Sequence, residues 1–179
     1  MVYLFLANGF EEIEALCPLD LLRRAGVEVT TVGIGSDTVI GSHGIPVIAD
    51  IPEGMFADSA AEMIILPGGM PGAKNLDESR TVDMALTAAS RRGAFIAAIC
   101  AAPMVLGHRG LLKEKEAICF PGFEGELTGA KISEKRVVRD GNIITAAGMG
   151  VALEFGLELV AALKGPAVAA SLRRTVLAD

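Results

Sequence analysis

Two kinds of apolar pattern alternate along this chain of 179 residues. Short continuous apolar runs, such as Val2–Ala7, Met63–Leu66 and Ala94–Ile99, are typical of buried strands. Between them, Glu11–Ala25 and Thr81–Arg91 repeat apolar residues at helical spacing. Strands that alternate with helices indicate βαβ units and a mostly parallel sheet covered by helices on both faces. We therefore predict a single α/β domain over residues 1–179.

Further elements complete this pattern. They are a strand at Val27–Val32, a hairpin at Val39–Ile51, a helix from Pro103, a short strand at Ala117–Phe120, two strands within Val137–Ala146, and helices at Val151–Leu163 and Val168–Val176. Gly26 is expected to end the first helix, and Asp140-Gly141 to form a hairpin turn.

Composition and charge narrow the classes of function. The formal net charge is −6 and basic residues form no long run, so we predict no nucleic-acid partner. No uncharged apolar stretch approaches the roughly 18 residues of a membrane span, and no targeting segment is evident, which favours the cytoplasm. The cysteines Cys17, Cys100 and Cys119 form neither a CxxC pair nor a zinc pattern. They are expected to be free thiols in a reducing compartment, with no metal site.

A single reactive group follows the predicted central strands. Asn8-Gly9, Gly68-Gly69 and Ala147-Gly148 are small residues that let a ligand approach the backbone, and only Cys100 adds a nucleophile. In parallel sheets, ligands bind at the carboxyl ends of the strands. We therefore place the candidate site at this edge of the sheet.

The setting of Cys100 favours a reactive thiol. The cysteine ends a strand and precedes Pro103, which suits the first turn of a helix. Backbone N–H groups and the positive end of a helix dipole there are expected to favour the thiolate. The order strand, cysteine, helix is similar to a nucleophile elbow, although the GxSxG pattern is absent. Local sequence also fits a buried, inert cysteine.

Glu14 is the second candidate. Glu11 and Glu12 are ordinary acids of a helix start, whereas Glu14 lies at the edge of the apolar stripe of its helix. A half-buried carboxyl there is expected to have a raised pKa and to donate a hydrogen bond. His43, in a glycine-rich hairpin, and His108 are expected to have surface or helix-end roles.

These stretches together resemble a known family. They are Asn8-Gly9-Phe10-Glu11-Glu12-Ile13-Glu14, Pro18-Leu19-Asp20, Leu66-Pro67-Gly68-Gly69, Ala97-Ala98-Ile99-Cys100-Ala101-Ala102-Pro103 and Glu154-Phe155. Their order across nearly the whole chain resembles the ThiJ/PfpI superfamily, in the branch of the parkinsonism-associated protein deglycase. The resemblance implies a flavodoxin-like three-layer sandwich and a homodimer.

The resemblance also implies roles for residues. Cys100 would be the reactive cysteine, a protonated Glu14 would hydrogen-bond its sulfur, and the N–H groups of Gly69 and Ala101 would form an oxyanion site. Relatives often place a histidine where this chain has Phe120. Without it, proton removal would rely on Glu14, water or His43. Because Ala101 replaces the histidine of the protease-like branch, a peptidase is not expected.

The resulting prediction is an enzyme, independent of cofactors and metals, that acts on small α-oxoaldehydes or their protein adducts. Gly68, Gly148, Phe120 and His43 are assigned to its substrate pocket. The alternative is a redox sensor or chaperone-type stress protein that signals through oxidation of Cys100. A glutamine amidotransferase subunit would require a Cys-His-Glu triad, for which the sequence offers no evident histidine.

Overall fold

The computed structural model describes residues 1–57 and 61–178. The strands are β1 (Val2–Leu6), β2 (Val29–Gly33), β3 (Thr38–Ile40), β4 (Pro46–Ile48), β5 (Ile51–Pro52), β6 (Met63–Leu66), β7 (Phe95–Ile99), β8 (Glu116–Ala117), β9 (Lys131–Ile132), β10 (Val137–Asp140) and β11 (Ile143–Ala146). The α-helices are α1 (Glu12–Arg24), α2 (Gly72–Asp77), α3 (Arg80–Arg92), α4 (Pro103–His108), α5 (Ala152–Lys164) and α6 (Pro166–Thr175). Short 3-10 turns lie at Glu53–Met55, Glu124–Glu126 and Met149–Val151.

A seven-stranded sheet forms the centre, in the order β10-β11-β7-β6-β1-β2-β5. Its neighbouring strands are parallel except for the β10–β11 pair. Strands β3 and β4 form a separate antiparallel pair, and β8 and β9 form a separate parallel pair. The predicted α/β class, with a mostly parallel sheet, is therefore confirmed.

Both faces of the sheet are covered, which makes three layers. Along β1, Leu4 and Leu6 belong to one buried cluster, and Tyr3 and Phe5 belong to the other. The first cluster is completed by α1, α5 and α6, and the second by α3 and α4. This arrangement explains why the strands are apolar throughout rather than alternating. It is the flavodoxin-like sandwich that the resemblance implies.

Two helices on the first face pack unusually closely, because one of them has a glycine at the contact. A β-carbon at Gly156 of α5 would lie 2.6 Å from Leu21 Cδ1 and 3.0 Å from Pro18 Cα of α1. Glycine is therefore required for this approach. The contact fixes α1, and with it Glu14, against the sheet.

Two predicted elements end at a different residue in the structure for reasons that the contacts show. The hairpin predicted over Val39–Ile51 is present as β3 and β4, but Ile51 leaves it and pairs with Val32 in the main sheet. The strand predicted over Ala117–Phe120 ends at Ala117. It ends there because the Ile118 N–H donates to Thr145 Oγ1, and the Phe120 N–H donates to the Cys100 carbonyl.

One further helix, α2, was not predicted, and it packs against β1, α3 and α4. Within the described ranges, no helix is both long enough and apolar enough to cross a membrane.

Candidate active site

The loops that follow β1, β6, β7 and β11 meet at one edge of the sheet. These strands are adjacent and parallel, so their carboxyl ends point the same way. The Glu11 N–H donates to the Gly68 carbonyl at 2.9 Å, and the Cys100 N–H donates to the Ala146 carbonyl at 2.9 Å. These bonds tie the loops together around Cys100, as expected for a site at a strand edge.

Cys100 lies at a sharp strand-to-helix turn. Its φ is 64°, in the left-handed region that residues with a side chain rarely adopt. Such a conformation costs on the order of 1–3 kcal/mol and persists where the surrounding structure imposes it. The residue directly after β7 thereby projects a partly exposed sulfur from the sheet edge. The geometry is that of a nucleophile elbow, with cysteine in place of serine.

Glu14 is completely buried and faces this turn. Its position is set by α1, whose first N–H groups are capped by Glu11: Oε2 of Glu11 accepts a 2.8 Å bond from the Glu14 N–H. Oε2 of Glu14 accepts a 3.0 Å bond from the Gly68 N–H. Oε1 of Glu14 has no hydrogen-bond partner in the part of the chain that the structure describes.

Gly68 lies between the carboxyl and the cysteine. A β-carbon at this position would lie 2.6 Å from Glu14 Oε2 and 2.7 Å from Cys100 Cβ. Both distances are shorter than real carbon contacts, so only glycine allows Glu14 and Cys100 to approach each other here. Gly68, which the sequence analysis assigns to the substrate pocket, lies between Glu14 and Cys100.

The carboxyl and the thiol influence each other's ionisation. Burial raises the pKa of Glu14 to about 7, in spite of its interactions with the Cys100 thiol and with the Gly68 N–H. Burial also raises the pKa of Cys100 to about 12, and the negative charge of Glu14 adds to the increase. The pair therefore releases its first proton near neutral pH and holds the second one tightly.

This result corrects the expected ionisation of Cys100. The N–H groups of Gly69 and Ala101 do lower the pKa of the thiol, as predicted, but burial and the Glu14 carboxylate outweigh them. Where the sulfur reacts from its thiol form, a base must accept its proton. The adjacent Glu14 carboxylate, whose pKa lies near 7, is suited to that task.

Phe120 and Gly148 also lie beside Cys100, and the Phe120 N–H donates to the Cys100 carbonyl at 2.8 Å. A β-carbon at Gly148 would lie 3.9 Å from Cys100 Sγ and 3.3 Å from Phe120 Cδ2. Seven of the eight predicted residues are thus brought together. They are Cys100, Glu14, Gly68, Gly69, Ala101, Phe120 and Gly148.

His43 belongs to a different cluster. Its Nδ1 lies 3.1 Å from Glu12 Oε2, and its N–H donates to Glu12 Oε1 at 2.8 Å. Its described contacts are with Glu12 and Ser42 rather than with Cys100 or Glu14. A role for His43 in the pocket therefore stays a prediction without a contact to support it. His108 lies between carboxylates of Asp77 and Glu126, at a helix end as expected.

Glu12 is a residue whose importance the sequence did not reveal. It is 5% exposed, although it was assigned an ordinary helix-start role. Burial alone would raise the pKa of Glu12, but hydrogen bonds, chiefly from His43, lower it to about 2. Glu11, Glu12 and His43 place potential metal-ligand atoms within 4.8 Å of one another. The Glu11 cap and the Glu12–His43 bonds already engage these groups.

We expect Cys100 to be the first thiol alkylated by limiting iodoacetamide. Cys119 is buried and is expected to react slowly. The pKa values of Cys17 and Cys100 are both raised, so the expected difference between these two thiols rests on Glu14. Cys100 is partly exposed and has Glu14 as a neighbouring base. Peptide mass mapping across a pH series measures the three rates.

The rate at Cys100 should rise as pH increases through about 7, because the Glu14 carboxylate must be free to accept the thiol proton. Faster labelling of Cys17 would contradict this assignment of the nucleophile.

Comparisons with known proteins agree with this geometry. The profile of the DJ-1/PfpI family matches residues 1–162. The Parkinson disease protein 7 homolog of Danio rerio is 38% identical over 173 residues, which are 94% of this chain and 92% of that protein. The glutathione-independent glyoxalase DJR-1.2 of Caenorhabditis elegans is 33% identical over 158 residues, covering 87% of this chain and 84% of that protein.

Solved structures extend the similarity to the whole fold. The structure of oxidized Toxoplasma gondii DJ-1 has a TM-score of 0.94 and 34% sequence identity, and the match covers 98% of this chain and 97% of that one. The matched region includes the loops that bring Cys100, Glu14 and Gly68 together. This chain belongs to the DJ-1/PfpI family.

Proposed function

We propose that this protein is a cysteine-dependent enzyme that converts small α-oxoaldehydes to 2-hydroxy acids, or acts in the same way on their adducts with proteins. The observation that carries the proposal is the fully buried carboxyl of Glu14 beside the partly exposed Cys100. The reaction requires a base beside a nucleophile, and Glu14 and Cys100 supply this pair. The glyoxalase name of the Caenorhabditis elegans relative supports this reaction class.

The first step is addition of sulfur to the aldehyde. The Glu14 carboxylate takes the thiol proton as Sγ of Cys100 bonds to the aldehyde carbon, and the carbonyl electron pair moves onto oxygen. The N–H groups of Gly69 and Ala101, which lower the pKa of the thiol, would stabilise that developing oxyanion. Protonation of the oxygen gives a hemithioacetal and returns Glu14 to its carboxylate form.

The second step moves a proton within the substrate. Glu14 removes the proton from the former aldehyde carbon while the ketone oxygen takes up the electron pair, which gives an enediolate. Glu14 then delivers that proton to the former ketone carbon, and the hydroxyl proton of the first carbon passes to the oxygen of the second as the thioester carbonyl forms. The product is a 2-hydroxy thioester of Cys100. Water then displaces the sulfur, releasing the 2-hydroxy acid and restoring the thiol. One carbon is oxidised while its neighbour is reduced, so the reaction requires no external oxidant, reductant or organic cofactor.

The assembly and location of the enzyme are part of the proposal. We expect a single domain that forms a homodimer and acts in the cytoplasm on aldehyde or glycated substrates, without a nucleic-acid or membrane partner. Sedimentation of the purified protein measures the oligomeric state.

The test of the enzymatic function is lactate formation from methylglyoxal in buffer free of glutathione. The parent protein should turn over, and Cys100→Ser should lower kcat/KM by at least about 100-fold because the nucleophile is lost. Cys17→Ser is the matched control, since Cys17 is a half-buried thiol on α1. Equal rates in the parent and Cys100→Ser proteins would overturn the proposal.

A second candidate function is redox sensing through Cys100. The sulfur is partly exposed and interacts with two backbone N–H groups, which could also hold the oxygens of an oxidised cysteine. The oxidised state of the solved Toxoplasma gondii relative favours keeping this candidate. In the sensor model, peroxide oxidises Cys100 to sulfenic and then sulfinic acid, and is itself reduced to water.

We expect Glu14→Leu to change the oxidation products of Cys100. A protonated Glu14 can donate to a sulfinate oxygen, and leucine removes that donor. Under peroxide that leaves the parent as sulfinate, the variant should stop at earlier states or advance to sulfonate. Intact-mass spectrometry across a peroxide series measures this, with Ile13→Leu, an exposed neighbour, as control. An unchanged profile would mean that the carboxyl does not stabilise the oxidised sulfur.

A further inference from the structure

An open groove lined by Gly148 lies beside Cys100, and the steps above do not use it. Its volume is about 320 Å³. Gly148 forms its floor beside the sulfur, since a β-carbon there would lie 3.9 Å from Sγ and 3.3 Å from Phe120 Cδ2. Gly148 therefore connects the groove to the surroundings of the sulfur.

The walls of the groove are apolar and accessible. Phe120 is 48% exposed and Met149 is 50% exposed, and both line the groove. An aromatic ring and a thioether that face open space favour a flat apolar ligand, because burial of such surface is favourable and aromatic and sulfur contacts add to it.

The groove also contains a cation. Nη2 of Arg136 donates to the Gly150 carbonyl at 3.2 Å. Among residues 1–57 and 61–178, no carboxylate lies within ion-pair distance of this guanidinium. A guanidinium has five N–H donors in a planar fork, so donors remain that can bind a carboxylate.

We propose, on the basis of the function proposed above, that this groove binds the group attached to the ketone carbon of the oxoaldehyde. Phe120 and Met149 select a flat apolar group, and Arg136 selects a carboxylate at its far end. The preferred substrates are therefore aryl or similarly extended α-oxoaldehydes that carry a terminal anion. Phe120 and Arg136 are specificity-determining residues of this reaction.

The size of the groove indicates the magnitude of the preference. A phenyl ring offers more apolar surface to the exposed side chains of Phe120 and Met149 than the methyl group of methylglyoxal does. Phenylglyoxal should therefore have a kcat/KM at least about tenfold higher than that of methylglyoxal. A para-carboxylate on the ring should add a further factor of about 3–10 through Arg136.

The turnover experiment compares methylglyoxal, phenylglyoxal and para-carboxyphenylglyoxal by initial rates, because arylglyoxals also modify arginine at longer times. Phe120→Ala should reduce the ratio of kcat/KM for phenylglyoxal over methylglyoxal by about tenfold. Arg136→Gln should abolish the advantage of the carboxylated substrate over phenylglyoxal. Arg174→Gln, which changes an exposed arginine of α6, is the matched control for the second ratio.

A binding experiment separates this inference from the catalytic proposal. Calorimetric titration with lactate, mandelate and para-carboxymandelate should give affinities that increase in that order. The increase in affinity from mandelate to para-carboxymandelate should be lost in Arg136→Gln and kept in Arg174→Gln. This order of binding without any turnover would support the groove assignment and overturn the enzymatic function. A different result would overturn the groove assignment alone. In that case methylglyoxal is turned over, but neither Phe120→Ala nor Arg136→Gln changes the kcat/KM ratios between substrates or the affinities for the hydroxy acids.

Discussion

The Gly68→Ala protein is expected to lose turnover of α-oxoaldehydes by about 100-fold or more, because a displacement of the order of an ångström at a reacting group has effects of this size. The new methyl group would lie 2.6 Å from Glu14 Oε2, 2.7 Å from Cys100 Cβ and 2.8 Å from the Ile99 carbonyl oxygen. Two of these neighbours are backbone or backbone-adjacent atoms that cannot rotate away. Glu14 and Cys100 must therefore separate.

Stability should fall as well, by roughly 1–3 kcal/mol, which is typical of overpacking in a buried region. Urea unfolding measures this loss, and lactate formation from methylglyoxal measures the loss of activity. Gly54→Ala is the control, because a β-carbon at Gly54 meets nothing within 4 Å. A folded Gly68→Ala protein with full activity would show that contact between Glu14 and Cys100 is not required.

The Glu14→Gln protein is expected to be much less active and yet more stable at alkaline pH. Glutamine keeps an oxygen for the 3.0 Å bond from the Gly68 N–H but cannot accept a proton. Loss of a general base typically lowers kcat/KM by about 10²–10⁴-fold. In the parent, kcat/KM should rise as pH increases through about 7, where Glu14 becomes a carboxylate, and this rise should be absent in the variant.

The stability gain follows from the raised pKa of Glu14. Below the ordinary carboxyl pKa, Glu14 is protonated in the folded and unfolded states, so ionisation affects neither. As pH rises towards 7, the unfolded state ionises first, and the folded protein loses stability. A pKa of about 7 corresponds to a loss of up to about 3 kcal/mol above that pH.

Glutamine removes this loss, so the difference in unfolding free energy between Glu14→Gln and parent should grow between about pH 5 and pH 8. Urea titrations at both ends of that range measure it. Ile13→Leu on the same helix should show no such dependence. A pH-independent difference for Glu14→Gln would mean that Glu14 ionises with an ordinary pKa.

The pattern of apolar residues was sufficient to predict the main layers of the fold. Strands such as Met63–Leu66 were located to the residue, since a strand covered on both faces is a continuous apolar run between polar loops. The pattern did not reveal α2, which has six residues and too few turns to show a helical period. It also overextended the strand at Ala117, because the bonds that end it come from Thr145 and Cys100, which are remote in sequence.

The candidate site likewise has features that the local sequence identifies and features that it does not. That Cys100 follows a strand and precedes Pro103 is local information, and so is the place of Glu14 on the apolar edge of its helix. The sequence therefore sufficed to nominate both residues and the raised pKa of the carboxyl. It did not reveal the burial of Glu12, because the hairpin that covers Glu12 and carries His43 is about thirty residues further along the chain.

What the tertiary structure decided is the ionisation of the cysteine and the identity of its neighbours. The effect of the Ala101 N–H depends on local sequence, and it lowers the pKa of Cys100 as expected. The larger opposing effects, burial and the Glu14 charge, arise only when β1, β6 and β7 bring residues 14, 68 and 100 into contact. Phe120, Arg136 and Gly148 likewise lie in three separate loops, which follow β8, precede β10 and follow β11, and only the folded chain brings them together. Desolvation and Coulomb interactions depend on distance in space, which a sequence does not contain until the chain has folded.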